Sequence, residues 1–537
     1  MDEPDYIIVG AGSAGCVLAN RLTESGKNRV TVLEAGGSDL RFFVQMPLGY
    51  GKLFYHPAVN WLYKTEPDPG LAGQRDHWPR GKLMGGSSSI NAMVYIRGHR
   101  ADYEEWGQQA LGWGWDTCLR AYRAMEDNEA GADEWRGQGG PLFVSANRTG
   151  LHWVVGECLQ ACSEAGMSYN TDFNGPVQEG AGPYQMTIKS GRRNSAARAF
   201  LRPATRRRNL RVITGAMVTR VLIDRGRAVG VEYRQSGDLQ ELRCSAEVIL
   251  AGGAINSPQL LQLSGVGPGA LLQGQGIGVV VENPNVGDHL SDHQGINYTW
   301  AMKVPTYNDI LRPWWGKAFV GAQYLLTGSG PLSKSINHGG GFFRTSSTLT
   351  RPNMQLYIQA FSTLLPRAGE RPLLTPDPFS GLSLGLSNCR PTSRGHIRIK
   401  SADPLQHPAI VANAFSTDHD VDEMLAAVKF LRHIAAQPAF ARLAKEELRP
   451  GPAVQSDDDL IADLRARSGT VYHPSCTCRM GNAPATSVVD ARLRVWGVAG
   501  LRVCDASAFP NLIAGNTNAP AMMMGWRGAD IILEDGR

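Results

Sequence analysis

Residues 6–36 read Y-I-I-V-G-A-G-S-A-G-C-V-L-A-N-R-L-T-E-S-G-K-N-R-V-T-V-L-E-A-G. Tyr6 to Val9 is a short continuous apolar run, the pattern of a strand buried on both faces of a parallel sheet. It passes directly into Gly10-Ala11-Gly12-Ser13-Ala14-Gly15, after which Cys16 to Leu22 continues at helical spacing. Val30 to Leu33 is a second strand, ending on Glu34. A lone G-x-G-x-x-G says little. Framed by strand, helix, second strand and terminal acid, it specifies a dinucleotide-binding βαβ unit. Gly10 permits the tight turn, Gly12 lets backbone approach a pyrophosphate, and Gly15 lets helix pack on strand. The helix N-terminus offers free N–H groups to phosphate, with Ser13 and Ala14 in that first turn. Glu34, with Ala35 beside it, accepts hydrogen bonds from ribose hydroxyls, which disfavours a 2′-phosphorylated cofactor. This unit alone leaves NAD and FAD both open.

A chain of 537 residues exceeds one hydrophobic core, so two or three domains are expected. Hydrophobic residues at 42% and charged residues at 19% fit an ordinary soluble globular protein, and a net charge of +5 gives no field for nucleic acid. No apolar run is long enough to span a bilayer. Nine scattered cysteines, an odd number, argue against a disulfide framework. With no leader-like segment before Tyr6, the expectation is a cytoplasmic protein with reduced thiols. Peripheral contact with the inner face of the membrane is compatible with this.

Two further stretches stand out: W-P-R-G-K-L-M-G-G-S-S-S-I-N-A-M-V-Y-I-R-G at 78–98, and G-A-I-N-S-P-Q-L-L-Q-L-S-G-V-G at 253–267 after the apolar run from Glu247. By composition alone the first is either a Gly/Ser-rich surface loop or a phosphate cradle. With the nucleotide unit, P-N-V-G-D-H-L-S-D-H at 284–293 and V-C-D-A-S at 503–507, they resemble the glucose–methanol–choline (GMC) oxidoreductases, FAD-dependent enzymes that oxidise alcohols. The resemblance covers essentially the whole chain and is strongest to the branch of bacterial aliphatic alcohol dehydrogenases and choline dehydrogenases. It implies FAD. Gly81, Gly85, Gly86 and Ser87 would cradle its pyrophosphate and ribityl oxygens, and Asn91, Ala92, Met93 and Val94 would run beneath the isoalloxazine ring. It also implies a backbone contact from Val218 to the adenine and a hydrogen bond from Asp505, next to Ala506, to the ribityl or phosphate region. Thr517 and Asn518 would line the flavin. Some choline-oxidising relatives bond FAD covalently through a histidine in this segment; Ile90 stands there here, so non-covalent, dissociable FAD is expected.

The expected fold is α/β, α+β overall: a Rossmann-like FAD-binding domain with a discontinuous substrate-binding domain on an antiparallel sheet with helices. The FAD-binding parts are residues 1–155, 195–290 and 465–537, the last carrying the catalytic residues. Residues 291–464 form the substrate-binding domain, and 156–194 belong to it or connect. Runs from Leu210, Val218, Val229, Asn353 and His396 read as strands, and Asp420 to Ala436 as a helix with Val421, Met424, Leu425, Val428 and Leu431 on its apolar face. Met46 to His56 is either a lid over the substrate mouth or a packed connection.

Alcohol oxidation requires a base for the hydroxyl proton and a polar group to hold the oxygen as charge develops. The stretch V-Y-H-P-S-C-T-C-R-M-G at 471–481 matches the family's base motif, which places the base at His473. Counting back from Asp530 in the last helix places its partner at Asn516. Metal and thiol readings of His473, Cys476 and Cys478 fail on spacing: H-x-x-C-x-C is no usual zinc pattern, and C-x-C is not the redox C-x-x-C. The cysteines read as small buried fillers, and no metal is expected. His289 and His293 read as structural hydrogen-bonders.

His338 occupies a position where relatives carry glutamate. If it meets substrate, a fixed charge for choline is missing, which points to a neutral primary alcohol; the resemblance to the dehydrogenase branch separately implies a quinone or dye-like electron acceptor. Choline, polyol or sugar dehydrogenases, an O2-using oxidase and, more distantly, a hydroxynitrile lyase are the alternatives within the family.

Overall fold

In the computed structural model, which describes residues 3–147, 150–364 and 375–536, the run Tyr6–Val9 is the middle strand of a five-stranded parallel sheet. The order is Leu210–Thr214, Val30–Glu34, Tyr6–Val9, Glu247–Leu250, Leu501–Val503. Tyr6 sits opposite both Val30 and Glu247, and Val248 opposite Leu501, so three distant segments share one register. Tyr6–Val9 and Val30–Glu34 are buried along their whole length, whereas the edge strand Leu210–Thr214 exposes Arg211 and Thr214. Helix Ser13–Thr23 packs on the sheet and against the last helix, Asn518–Asp535. The two approach so closely that a Cβ on Gly525 would meet the carbonyl oxygen of Ala14 at 2.6 Å. An antiparallel sheet, Ala216–Asp224, Arg227–Gln235 and Asp238–Arg243, extends from the parallel one.

The second layer is a larger antiparallel sheet, ordered Ala444–Arg449, Gln294–Met302, Gly381–Asn388, Met354–Gln359, Asn337–Phe343, Gly180–Pro183. Gly469–Thr470 adds to Gln294–Met302 at one end. Helix Asp418–Ala435 packs over it, with Val421, Met424, Val428 and Leu431 buried and Leu425 only partly so. Each fully buried side chain of this kind contributes about 1.5–3 kcal/mol, so this face, not intrinsic helix propensity, holds the helix down. Thr417 caps its start, and Asp418 and Asp420 in the first turn complement the helix dipole. The architecture is the expected one: a Rossmann-like unit joined to an antiparallel sheet with helices. From 156–194, Gly180–Pro183 forms an edge strand of the larger sheet.

Candidate active site

One cavity of about 1470 Å³ runs between the two sheets. At one end it is bounded by Gly10, Gly12, Ser13, Ala14, Glu34 and Ala35, and by Val218 on the small antiparallel sheet. Gly10 turns with φ 101°, and a Cβ on Gly15 would lie 2.0 Å from the oxygen of Gly10, so the loop closes only with glycine there. Helix Ser13–Thr23 begins at Gly12 with no side chain capping it, which leaves its first N–H groups free at the cavity wall. Both oxygens of Glu34 accept from backbone, Oε2 from Ala11 N–H at 2.9 Å and Oε1 from Gly36 N–H at 2.8 Å. Burial pushes its carboxyl up to about 7.

The Gly/Ser segment lies against this loop. Gly85 N–H donates to the Ala11 oxygen at 2.7 Å, and a Cβ on Gly86 would meet Gly12 Cα at 2.8 Å. Gly81, Gly86, Ser87 and Asn91 to Val94 line the cavity, whereas Gly85 and Gly15 stand behind the lining and hold it together. Asn91 Oδ1 accepts from Met93 N–H at 3.1 Å and from Arg193 Nη1 at 2.7 Å. That leaves the Asn91 NH2 group free for the cavity. Arg193 is itself fully buried, and burial pulls it down to about 9.

At the other end His473 and Asn516 meet. Residues 470–475 run antiparallel to 291–293: Val471 N–H donates to the His293 oxygen, Ser475 N–H to the Ser291 oxygen, and His473 N–H to Asp292 Oδ1 at 2.8 Å. Near His473, Tyr472 and Cys476 have φ of 72° and 70°, a conformation costing about 1–3 kcal/mol per non-glycine residue that surrounding contacts must offset. The hydrogen bonds then form a directed chain. His293 Nε2 is 3.0 Å from the Cys389 carbonyl oxygen, which can only accept, so the proton of a neutral His293 is on Nε2. Its Nδ1 lies 2.9 Å from His473 Nδ1 and must accept from it. His473 therefore carries its proton on Nδ1 and presents a bare Nε2, 3.2 Å from Asn516 Nδ2. Asn516 is oriented in turn by Gln355, whose Nε2 donates to Asn516 Oδ1 at 3.2 Å while its Oε1 accepts from Tyr357 Oη–H at 2.9 Å. Burial, then His293, then Arg80 hold His473 well below the usual histidine range, and burial takes His293 down to about 4. Both rings are neutral at pH 7.

Family sequence models of the GMC oxidoreductases match residues 4–295 and 391–525. The chain belongs to the GMC oxidoreductase family. Among similar GMC-type proteins, alcohol dehydrogenase [acceptor] from Pseudomonas putida is 44% identical over 535 residues, covering 98% of this chain and 95% of that one. Human mitochondrial choline dehydrogenase is 42% identical over 543 residues, covering 99% and 90%. Of solved structures, pyridoxine 4-oxidase from Mesorbium loti superposes with a TM-score of 0.90 at 29% identity, covering 99% of each chain. A point variant of formate oxidase from Aspergillus oryzae RIB40 gives 0.92 at 25%, covering 99% of this chain and 98% of the other. The protein is thus an enzyme, an FAD-dependent oxidoreductase of CH–OH donors.

The cavity fits the GMC cofactor. It offers an acceptor for ribose at Glu34, uncapped helix N–H groups for pyrophosphate at Ser13, and a free amide at Asn91. The last helix also begins uncapped, at Thr517, and Thr517 and Asn518 line the same wall, with Asn518 Oδ1 accepting from Ser13 Oγ at 2.8 Å. Asp505 and Ala506 border the cavity too, but Asp505 is already occupied: Gly253 N–H and Ser257 Oγ donate to Oδ2, Ser507 N–H and Oγ to Oδ1. It braces two elements of the GMC unit. Ile90 also lines the cavity.

His338 departs from expectation. It is buried away from the lining; the bulge between Asn337 and Gly339 puts Asn337 on the cavity instead. Its Nδ1 accepts from His152 N–H at 3.3 Å, its ring lies 5.4 Å from Tyr307, and burial pulls it to about 3. The Met46 to His56 segment is a packed wall: Met46, Leu48, Tyr50 and Leu53 are buried, and Tyr50, Phe54 and Tyr55 face the cavity. Cys476 and Cys478 lie in the main hydrophobic core. Sequence reasoning missed Arg80, Gln355 and Tyr357, and took His293 for scaffolding alone. The run D-H at 292–293, an acid and an imidazole in a quoted motif, was the only signal available for His293.

Proposed function

We propose that the enzyme oxidises a neutral primary alcohol to its aldehyde, with His473 as the base and Asn516 holding the oxygen. The observation that carries this is the bare Nε2 of His473 facing the Asn516 amide in the cavity. His473 takes the hydroxyl proton at Nε2, and its Nδ1–H bond to His293 keeps that nitrogen free to receive it. Asn516 Nδ2 donates to the oxygen as negative charge develops there; its orientation is already set by Gln355. Bound FAD supplies the acceptor for the hydride, at its N5 position. Ile90 offers no atom for a covalent bond, which supports non-covalent FAD.

The lining supports a neutral substrate. Segments 71–80 and 449–473 contribute Arg75, Arg80, Arg449 and Arg467 to the cavity against one acid, Asp76. Arg75 and Arg467 are paired with Glu66 and Asp463, and this stretch of lining offers a permanent cation such as choline a single carboxylate, Asp76. Residues 1–155, 195–290 and 465–537 hold the cofactor in this reading, and 156–194 with 291–464 close over the alcohol. Likeness to the Pseudomonas alcohol dehydrogenase [acceptor] supports a quinone or dye-like electron acceptor.

The test is anaerobic addition of primary alcohols, polyols, sugars and choline to the FAD-loaded enzyme, followed by the yellow absorbance. Primary alcohols should bleach it, and His473→Ala should slow bleaching by roughly 10²–10⁴-fold with FAD still bound. Reoxidation is then compared with O2 and with a quinone. Bleaching by choline alone, or equal rates in parent and variant, refutes the assignment.

A further inference from the structure

One surface helix carries two apolar faces. Trp314–Thr327 reads WWGKAFVGAQYLLT, and its inward face is narrow, with Gly316, Val320 and Tyr324 the buried residues. At roughly 100° per residue, Trp314, Trp315, Ala318, Phe319, Leu325 and Leu326 fall within one arc of about 140° on the other side. All six are exposed, Trp314 to 80% and Leu326 to 85%. A second exposed apolar segment lies beside the helix and meets it at the inward-facing Tyr324. The ring of Phe42 lies 6.3 Å from Tyr324 and 5.5 Å from Phe43, and Leu40, Phe42 and Phe43 are exposed as well. Surface helices ordinarily turn polar residues outward, and a contiguous apolar patch of this size marks a binding surface.

Charge selects the partner. No Asp or Glu occurs between Asp309 and Glu370, nor between Asp39 and Glu66, the two stretches that build the patch. Its border is cationic, with Arg41, Lys52 and Lys317 exposed and Lys52 Nζ lying 4.4 Å over the Phe43 ring. Tryptophan and phenylalanine among leucines, with basic residues beside them and no acid in either stretch, is the composition of a helix lying in the headgroup layer of an anionic bilayer. A second copy of the same face would instead meet like charge.

We propose that helix Trp314–Thr327 and the Leu40–Phe43 loop form a docking face that rests on an anionic phospholipid bilayer without crossing it. Among the described residues no helix is long and apolar enough to cross. The same loop leads along the chain into Tyr50 and Phe54, which line the cavity. This inference holds whichever alcohol is oxidised.

The experiment sediments FAD-loaded enzyme with vesicles of phosphatidylcholine alone or mixed with phosphatidylglycerol. The parent should pellet with the phosphatidylglycerol vesicles, and less so at high salt. Leu326→Glu and Trp315→Gln should each weaken partitioning roughly tenfold or more, since each removes a large side chain from the contact. Leu111→Glu, an exposed leucine outside the patch at 88%, should pellet like the parent. A parent that stays in the supernatant overturns the proposal, as does equal weakening by Leu111→Glu. A parent dimer that Leu326→Glu converts to monomer, with no vesicle binding, also overturns it and makes the face a self-association surface.

Discussion

His293 Nδ1 and His473 Nδ1 lie 2.9 Å apart, and only one of them can carry the proton between them. The Cys389 carbonyl, bonded to the far side of His293, decides which. A backbone oxygen thus sets the reacting face of an imidazole two residues removed from it in the hydrogen-bond chain.

His293→Leu should therefore leave FAD bound but let His473 adopt the other tautomer. Flavin reduction should fall between roughly tenfold and 10⁴-fold, the span from a lost orienting bond to a wrong tautomer. His293→Asn, which can offer an amide oxygen to His473 Nδ1–H, should recover part of the rate. Single-turnover reduction measures both; identical losses would show that His293 acts through packing.

The pH profile follows from the low proton affinity of His473. Its folded-state value is depressed, so reduction should stay flat from alkaline pH down past the ordinary histidine value of about 6.5 and fall only below it. Stability has the same sign. His293 and His473 resist protonation in the folded state, and the unfolded chain binds those protons first, so stability is lost as pH falls from about 6.5 toward about 4. Denaturant midpoints across this range measure it.

Gln355→Leu should free the Asn516 amide to turn over, presenting Oδ1 in place of Nδ2 to His473 and the alcohol. The expected loss in reduction rate is about 5–100-fold, with a smaller change in half-saturating alcohol. Gln355→Glu keeps an acceptor for Tyr357 yet loses the donor to Asn516, and should behave like the leucine variant.

Glu34 titrates against the cofactor. Its carboxyl, raised to about 7 by burial, accepts ribose hydroxyls more strongly once ionised, so FAD affinity should rise with pH up to about 7 and level off above. Without FAD the same shift acts oppositely: the folded state keeps a proton the unfolded chain has lost, so this contribution fades as pH rises from about 4.3 to about 7. Glu34→Gln should flatten the affinity profile, read by quenching of FAD fluorescence.

Acid precipitation of the holoenzyme should release all of its yellow colour into the supernatant, because Ile90 stands where a covalent link would need a nucleophile. Colour retained in the pellet would refute non-covalent attachment.

What the sequence disclosed is local. Tyr6–Val9, the glycines after it and Val30–Glu34 declare themselves because strand burial and loop closure leave a pattern within thirty residues. Leu501–Val503 and Gly180–Pro183 do not, since three or four residues carry no periodicity and gain their state from partners far along the chain. A motif at His473 and a count back from Asp530 to Asn516 named two residues that the fold brings together, whereas His293 left no such trace: no spacing rule says which imidazole touches another 180 residues away. His338 misled because a bulge, invisible in sequence, turned it off the cavity.

The parallel sheet has a consequence for how the enzyme is made. Its Glu247–Leu250 strand waits for Leu501–Val503, which His473 precedes and Asn516 follows in the chain. During translation this strand presents an unpaired apolar edge for the time needed to add some 250 residues, about 12–50 s at 5–20 residues per second. The sheet and the His473–Asn516 contact are complete only once residues 501–516 have been added, so demand for chaperones should rise with expression rate.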